Sequence, residues 1–384
     1  MSRMPAQFTV GIEEELQLVD RKTGQLVPKI HEIIERGETL LGQQLKPEML
    51  QSTAEIVTGV CPNIASARQE LFRLRSTLAR LAAEEGVALI SAGTHPSALW
   101  MNQVRSVSPR YEELEEEFQD VGRSVLIFGL HVHVGVEERE LAISLLNQLR
   151  TWLPQLLALS SNSPFWLGRY TGLRSYRAIV WKRFPRSGVP EILSSWDDFE
   201  TYVQTLVKSG CIDNGKRIWW DIRPHAFFHT IEFRVFDMPL TFEDTISLSA
   251  LCQALVAKLA WLHARGQMTS VLPRNLIEEN KWRASRYGLD AEVVDFAQGR
   301  HLSMRDSISE LLDFVDEVVD DLGTRREMNH LRELLADPRG TGADQQIAVY
   351  KETGSLHAVA HFLMQQTRQG FEEATASEQV VQTT

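Results

Sequence analysis

Apolar residues recur at every second position in five runs within the first two-thirds of the chain. Such alternation predicts β-strands, because successive side chains of a strand point to opposite faces. A short connection joins the last two runs, which predicts an antiparallel pair. The five runs cover residues 7–19, 87–93, 124–136, 216–224 and 227–237.

Elsewhere apolar residues recur every three or four positions, which predicts amphipathic helices. Residues 63–86 begin at a capping residue, Asn63, and end at Gly86. They carry one apolar stripe: Ile64, Ala67, Leu71, Leu74, Leu78 and Leu81. Further helices are predicted at 194–210, 247–266, 303–323 and about 343–369. Because strands and helices do not alternate strictly, the pattern favours an α+β architecture with an antiparallel or mixed sheet over a βα barrel.

Glu13, Glu14 and Glu15 interrupt the first predicted strand. Glu13 and Glu15 share one face, about 7 Å apart by two strand steps. Glu14 points to the other face, where we expect it to tolerate substitution. Like charges on one face repel each other. An exposed strand edge would explain the three acids, since charged edges deter aggregation; cations shared by Glu13 and Glu15 would also explain them.

Other parts of the chain offer further metal ligands. His131 and His133 lie two apart in "GLHVHVG", so both imidazoles face one way. A metal-binding pair and a pair of hydrogen-bonded core histidines explain them about equally well. Glu232 shares a face with Arg234 in "TIEFRVFD", which alone fits a cross-strand ion pair, and Glu55 interrupts an apolar stretch. Together, acids and imidazoles without cysteine are typical of Mg²⁺ or Mn²⁺ sites.

Composition narrows the class of protein. The chain has 384 residues, 43% of them hydrophobic, and a formal net charge of -11. The negative net charge argues against nucleic-acid binding, because a protein needs a basic surface to neutralise the phosphate backbone. Three cysteines without CxxC spacing indicate a reducing compartment. The first residues lack an apolar signal core, and no window reaches the roughly 18 apolar residues of a membrane span. We therefore expect a cytoplasmic protein without membrane contact.

The motifs together resemble those of the glutamate–cysteine ligase type 2 carboxylate–amine ligases. The resemblance runs from Phe8 to about Arg300 and departs from the family pattern at "KRFPRSG" and "RYTGLRS", which bear on the substrate rather than the metal site. The matching stretches include "GIEEELQLVD", "LQSTAEIVTGVC", "SAGTHP", "FGLHVHVGV", "LLALSSNSPFWLGRYTGLRSYR", "IWWDIRPH", "TIEFRVFD" and "NKWRASRYGLD".

The resemblance implies a glutamine synthetase-like fold, in which a curved, mainly antiparallel sheet carries the active site between flanking helices. We expect a single catalytic domain over 1–370, strand-rich over 1–240 and helical over 241–370, and a disordered tail at 371–384. The resemblance also implies an ATP-dependent ligase that joins an amino-acid carboxylate to an amine through an acyl phosphate, releasing ADP and phosphate. Its product would be an amide of the γ-glutamylcysteine type, and a homodimer is expected by analogy.

The family motifs assign roles to individual residues. Two Mg²⁺ ions, or Mn²⁺ in their place, would be shared by one set of ligands: Glu13, Glu15, Glu55, His131 and Glu232. His133 would face the nucleotide phosphates. Arg234 would contact the transferring γ-phosphoryl group, so Glu232 and Arg234 are the expected catalytic pair.

Four further residues are candidates for substrate binding: Arg174, Arg177, Asp221 and Arg223. An arginine holds a carboxylate through two hydrogen bonds, although salt-bridged rim positions fit all four nearly as well. No GxxxxGK[ST] motif occurs, so metal ions and a sheet surface would hold the nucleotide. Two other classes stay open: an amidohydrolase-like metal-dependent hydrolase, which would need further ligands on later strands, and a non-catalytic metabolite-binding protein of the same fold.

Overall fold

A computed structural model of the chain describes residues 8–268 and 271–369. The tail expected at 371–384 lies outside these residues. The strands are β1 (Val10–Asp20), β2 (Leu45–Pro47), β3 (Thr53–Val57), β4 (Val87–Ile90), β5 (Gly129–Gly135), β6 (Phe165–Trp166), β7 (Arg169–Tyr170), β8 (Ser187–Gly188), β9 (Trp219–Trp220), β10 (Ile222–Pro224), β11 (Thr230–Asp237), β12 (Glu292–Asp295) and β13 (Arg300–Ser303).

The α-helices surround these strands and make up most of the chain after residue 241. They are α1 (Ile30–Leu41), α2 (Ile64–Glu84), α3 (Pro109–Phe118), α4 (Asp120–Arg123), α5 (Arg139–Leu149), α6 (Leu153–Ser160), α7 (Arg177–Trp181), α8 (Trp196–Lys208), α9 (Phe242–His263), α10 (Arg274–Tyr287), α11 (Met304–Leu322), α12 (Arg325–Ala336), α13 (Gly342–Thr353) and α14 (Leu356–Arg368).

A seven-stranded sheet forms the centre of the fold, in the order β10-β11-β5-β1-β3-β2, with β4 also paired to β1. Every pairing in this sheet is antiparallel. The α+β class with a mainly antiparallel sheet is therefore confirmed. β1 lies between β5 and β3, so its side chains have neighbours on both sides.

One face of β1 belongs to the hydrophobic core. Ile12, Leu16 and Leu18 are fully buried, and α2 and α9 pack against the strand. The predicted stripe of α2 is buried along its whole length, and the Asn63 side chain accepts a hydrogen bond from the N–H of Ser66 at 2.9 Å. This packing leaves the odd-numbered positions of β1, including Glu13 and Glu15, on the opposite face.

Three sequence predictions are corrected. The run at 216–224 divides at Asp221, because β9 pairs with β8 whereas β10 pairs with β11. The helix predicted at about 343–369 is two helices, since Gly354 adopts a left-handed φ of 65° and Ser355 caps the next helix. The region predicted to be almost wholly helical also contains the β12–β13 hairpin.

Helix α9 bears on the expectation of no membrane span. Phe242–His263 is long and apolar enough to cross a membrane by length and composition alone. Most of its apolar window is buried within the protein, however, and its residues Phe242–Leu259 contribute heavily to the core. Burial of this kind is typical of a central core helix.

Candidate functional site

The register of four strands, β1, β3, β5 and β11, brings the predicted acids and imidazoles together on one face. Glu13 of β1 lies opposite His131 of β5, and Glu15 lies opposite Glu55 of β3. On the other side of β5, Glu232 of β11 lies opposite His133. Residues that are far apart in the sequence thus form a continuous polar face on an otherwise apolar sheet.

Glu13 is held between the two histidines. Its Oε2 lies 3.2 Å from His131 Nδ1, and its Oε1 lies 3.5 Å from His133 Nε2. Burial acts to raise the Glu13 pKa, but the two imidazoles outweigh it and hold that pKa well below its usual range. Burial lowers the His131 pKa to about 4, so His131 is neutral at physiological pH and has a lone pair available for a cation.

Glu15 and Glu55 lack a close cationic partner of this kind. Burial, followed by the charge of nearby Glu48, raises the pKa of Glu15 to about 7 and that of Glu55 well above its usual range. Only Lys46, at 3.8 Å from Glu55, approaches as a salt-bridge partner among the described residues, and its side chain is partly exposed. These carboxylates therefore carry an electrostatic cost that a bound cation would relieve.

Sequence reasoning missed Glu48 and Tyr111. Glu48 directly follows β2, and its Oε2 lies 3.5 Å from the Tyr111 hydroxyl of α3. Burial and the charge of Glu48 raise the Tyr111 pKa. Neither residue belongs to a two-apart pair, and the contact joins segments 63 residues apart, so no local pattern could have identified them.

Glu232 and Arg234 form the second part of the site. Arg234 Nη1 donates to Glu232 Oε1, and Arg223 Nε donates to Glu232 Oε2 at 2.7 Å. Burial acts to raise the Glu232 pKa, but the two guanidinium groups outweigh it and keep that pKa well below its usual range. Glu232 is therefore ionised, and Arg223 holds it in place from the adjacent strand.

Arg177 lies at the centre of this face because Gly129 has no side chain. A Cβ on Gly129 would collide with the Arg177 guanidinium. The Gly129 N–H donates to Glu15 Oε2 at 2.6 Å, and the charge of Glu15 counteracts the burial that lowers the Arg177 pKa. The absence of a side chain at Gly129 thus leaves room for the buried Arg177 next to Glu15.

The other substrate-binding candidates are engaged in ion pairs. Arg174 Nε lies 2.5 Å from Asp344 of α13, and Asp221 lies 2.5 Å from Lys281 of α10. Arg223 is bound to Glu232 as described. Of the four candidates, Arg177 alone is next to the acid cluster without a side-chain carboxylate hydrogen-bonded to it among the described residues.

The expectation that Glu14 tolerates substitution is not supported by its surroundings. Glu14 and Arg75 of α2 are both fully buried, and Arg75 Nε and Nη2 donate to the two Glu14 oxygens. Removing one member of a buried ion pair leaves a buried charge uncompensated. Glu14 is therefore a structural residue rather than a neutral position.

The face that carries Glu13, Glu15, Glu55, His131 and Glu232, here called the acid-rich face, has side chains suited to a divalent cation with phosphates. Among the described residues, no group of three or more His, Cys, Asp or Glu side chains is arranged to hold a metal ion. Mg²⁺, however, is usually held by one or two carboxylates and completed by water and substrate phosphates. Three buried atoms here also lack hydrogen-bond partners within the described residues: His133 Nε2, Arg177 Nε and Arg234 Nε. A phosphate-bearing ligand would supply acceptors for the two arginines.

Comparisons with known proteins identify relatives of the whole chain. The profile of the glutamate-cysteine ligase family 2 matches residues 9–363. A protein from Solibacter usitatus named "Putative glutamate--cysteine ligase 2" is 48% identical over 371 residues, covering 96% of both chains. One with the same name from Sorangium cellulosum is 47% identical over 369 residues, covering 96% of this chain and 98% of that protein.

Two solved structures share the fold at low sequence identity. A glutamate–cysteine ligase from Francisella tularensis, in complex with AMP, superimposes with a TM-score of 0.73 at 13% identity, covering 97% of this chain and 90% of that one. A bifunctional glutathione synthetase from Pasteurella multocida has a TM-score of 0.66 at 15% identity, covering 95% of this chain and 53% of that one.

Proposed function

The chain belongs to the glutamate-cysteine ligase family 2 and is an ATP-dependent carbon–nitrogen ligase, and from that premise we propose that it joins an amino-acid carboxylate, of the γ-glutamyl type, to the amine of a second amino acid such as cysteine. The observation that carries the proposal is the acid-rich face, where Glu15 and Glu55 face each other beside Arg177. Ionisation of both carboxylates in this position would be favoured by the cations that accompany ATP.

The proposed reaction has two steps. The substrate carboxylate attacks the γ-phosphorus of ATP, forming an acyl phosphate and releasing ADP. The amine then attacks the acyl carbon, phosphate leaves and the nitrogen loses a proton. Catalysis of this kind depends mainly on positioning and charge neutralisation. Bound Mg²⁺, or Mn²⁺, would neutralise phosphate charge.

The residues of the chain divide into three roles in this proposal. Arg234 neutralises the charge that spreads over the transferring phosphoryl group, and Glu232 orients Arg234 while binding a metal. His133 contacts the nucleotide phosphates. The remaining metal ligands are Glu13, Glu15, Glu55 and His131. Arg177 is the preferred candidate for the substrate carboxylate, because the other candidates are held in ion pairs.

The test is ADP formation from ATP with Mg²⁺ across a set of carboxylate–amine pairs. We expect ADP release that requires Mg²⁺ and rises when a carboxylate and an amine are both present, with the amide detected by mass spectrometry. Amide hydrolysis without ATP would instead indicate a hydrolase. Binding of amino acids without ADP release under any pairing would indicate a non-catalytic protein.

A further inference from the structure

The hairpin loop between β10 and β11 carries two neighbouring aromatic rings on the protein surface. Phe227 is 60% exposed and Phe228 is 62% exposed. Burying an aromatic ring is strongly favourable, so two adjacent rings left in water indicate a contact that the isolated chain does not complete.

The loop displays these rings through a turn held by its backbone. His225 Nδ1 accepts hydrogen bonds from the N–H groups of Phe227 and Phe228 at 3.2 and 3.0 Å. The N–H of Thr230 donates to the carbonyl of Phe228 at 2.8 Å. Neither phenyl ring takes part in these hydrogen bonds, which are made by the backbone and by His225.

A stack of rings connects this loop to the candidate site. Phe228 lies parallel to His225, with centroids 4.4 Å apart and planes 8° apart. His225 in turn meets His133 edge-on at 5.4 Å. His133 is the residue to which the proposed function assigns the nucleotide phosphates. A ligand whose phosphates lie at His133 and that extends over this stack would therefore place its other end on the aromatic surface of Phe228.

One cation next to the loop faces the aromatic surface, while Arg139 and His229 are paired with Glu200 and Glu137. Lys216 Nζ lies 5.0 Å from the Phe227 ring centroid. Arg139 and Trp196 also border the loop, where they line a cavity of about 30 Å³. That volume holds a water molecule but no heterocycle, so a base would lie on the exposed ring faces rather than in the cavity.

We propose that Phe227 and Phe228 form the platform on which the purine base of the nucleotide stacks. This inference rests on the proposed function, since it takes the phosphates to lie at His133. Stacking on a phenyl ring recognises the π-face of a base and not its edge. The platform therefore contributes affinity for a purine nucleotide without distinguishing adenine from guanine.

Kinetics of Phe228→Ala test the platform. Loss of one base–aromatic stack should raise the KM for ATP about tenfold, with a smaller change in kcat and in the KM values of the amino acids. Phe228→Trp restores an aromatic face and should restore the KM for ATP. Trp282→Ala removes a ring of comparable exposure, 50%, from α10 and is the matched control.

Calorimetric binding of AMP to the wild type and to Phe228→Ala gives a second readout that needs no turnover. We expect weaker AMP binding in the variant and unchanged binding in the Trp282→Ala control. The platform would be overturned if the wild type and the Phe227→Ala, Phe228→Ala double variant had equal affinity for AMP and equal KM values for ATP. It would also be overturned if only the KM of an amino acid rose. If the wild type binds AMP through Phe228 but forms no ADP with any pair, the proposed function fails and the platform stands.

Discussion

Two neighbouring glutamates of β1 lie in opposite electrostatic environments. Glu14 is fully buried and receives two hydrogen bonds from Arg75, so its charge is compensated within the fold. Glu15 points the other way, faces Glu55 and lies near Glu48, and its pKa is raised to about 7 by burial and by that neighbouring charge. The same residue type on one strand is thus structural on one face and electrostatically costly on the other.

This difference shows how a site can be separated from a core by strand geometry alone. A buried charge is compatible with a stable fold only while its ion-pair partner is present. An uncompensated cluster destabilises the free protein and is kept where a ligand supplies the missing charge. Substitution of Glu14 should therefore lower the stability of the fold, whereas substitution of Glu15 should lower turnover.

The largest expected effect is on the stability of Glu14→Gln. This change leaves Arg75 buried without its counter-charge, so the free energy of unfolding should fall by about 3–5 kcal/mol, measured by urea denaturation. Turnover per folded molecule should persist at a temperature where the variant is folded. Glu14→Leu combined with Arg75→Met is the control and should recover most of the loss. A fall below about 1 kcal/mol would show that the pair is not a structural requirement.

Glu13→Gln and Glu15→Gln should act mainly on turnover, and each should lower the rate of ADP formation about 10²–10³-fold. The midpoint of thermal unfolding should stay the same or rise for Glu15→Gln, because repulsion from Glu55 and Glu48 is relieved. It should fall for Glu13→Gln, because the variant loses the charged contacts with His131 and His133. Added Mg²⁺ should raise the midpoint of the wild type more than that of either variant. Turnover near the wild-type rate at saturating Mg²⁺ in either variant would remove that residue from the metal site.

Arg234→Lys tests whether the acid-rich face stabilises a developing charge. Lysine keeps the charge but loses the planar fork of the guanidinium group. We expect kcat to fall about 10²-fold, with a smaller rise in the KM for ATP, because the contact strengthens as charge develops in the transition state. A rise in the KM for ATP with kcat unchanged would assign Arg234 to ground-state binding.

The smallest expected effects separate the two histidines. His131→Asn should raise the Mg²⁺ concentration for half-maximal activity about tenfold, whereas His133→Asn should raise the apparent ATP requirement instead. Activity is titrated against metal at fixed ATP and then against ATP at fixed metal. If both variants respond identically in both titrations, one of the two roles is wrong.

The period of two in the sequence was sufficient to place most of the candidate site. Glu13 and Glu15, His131 and His133, and Glu232 and Arg234 are all two-apart pairs, so their shared faces follow from strand geometry. Their mutual proximity depends on the strand order β11-β5-β1-β3, which the local pattern does not contain. The resemblance to a family implied only that these residues share one site.

Partners that come from distant helices could not be predicted. Arg75 and Lys281 lie 61 and 60 residues from Glu14 and Asp221 respectively, and nothing in the local sequence of either acid indicates a cation across the fold. Turn chemistry explains another error, since Gly354 was treated as part of a helix although it ends one in a left-handed conformation.

The alternation along β1 also limits how this gene segment can change over evolutionary time. Even-numbered residues from Ile12 to Leu18 are buried in the core, and odd-numbered Glu13 and Glu15 lie on the face of the candidate site. Codons for either face can therefore be replaced one at a time without altering the other. Deletion or insertion of a single codon within β1 would exchange the two faces, turning Glu13 or Glu15 toward α2 and an apolar side chain toward the candidate site. Related genes should accordingly keep the length of this segment.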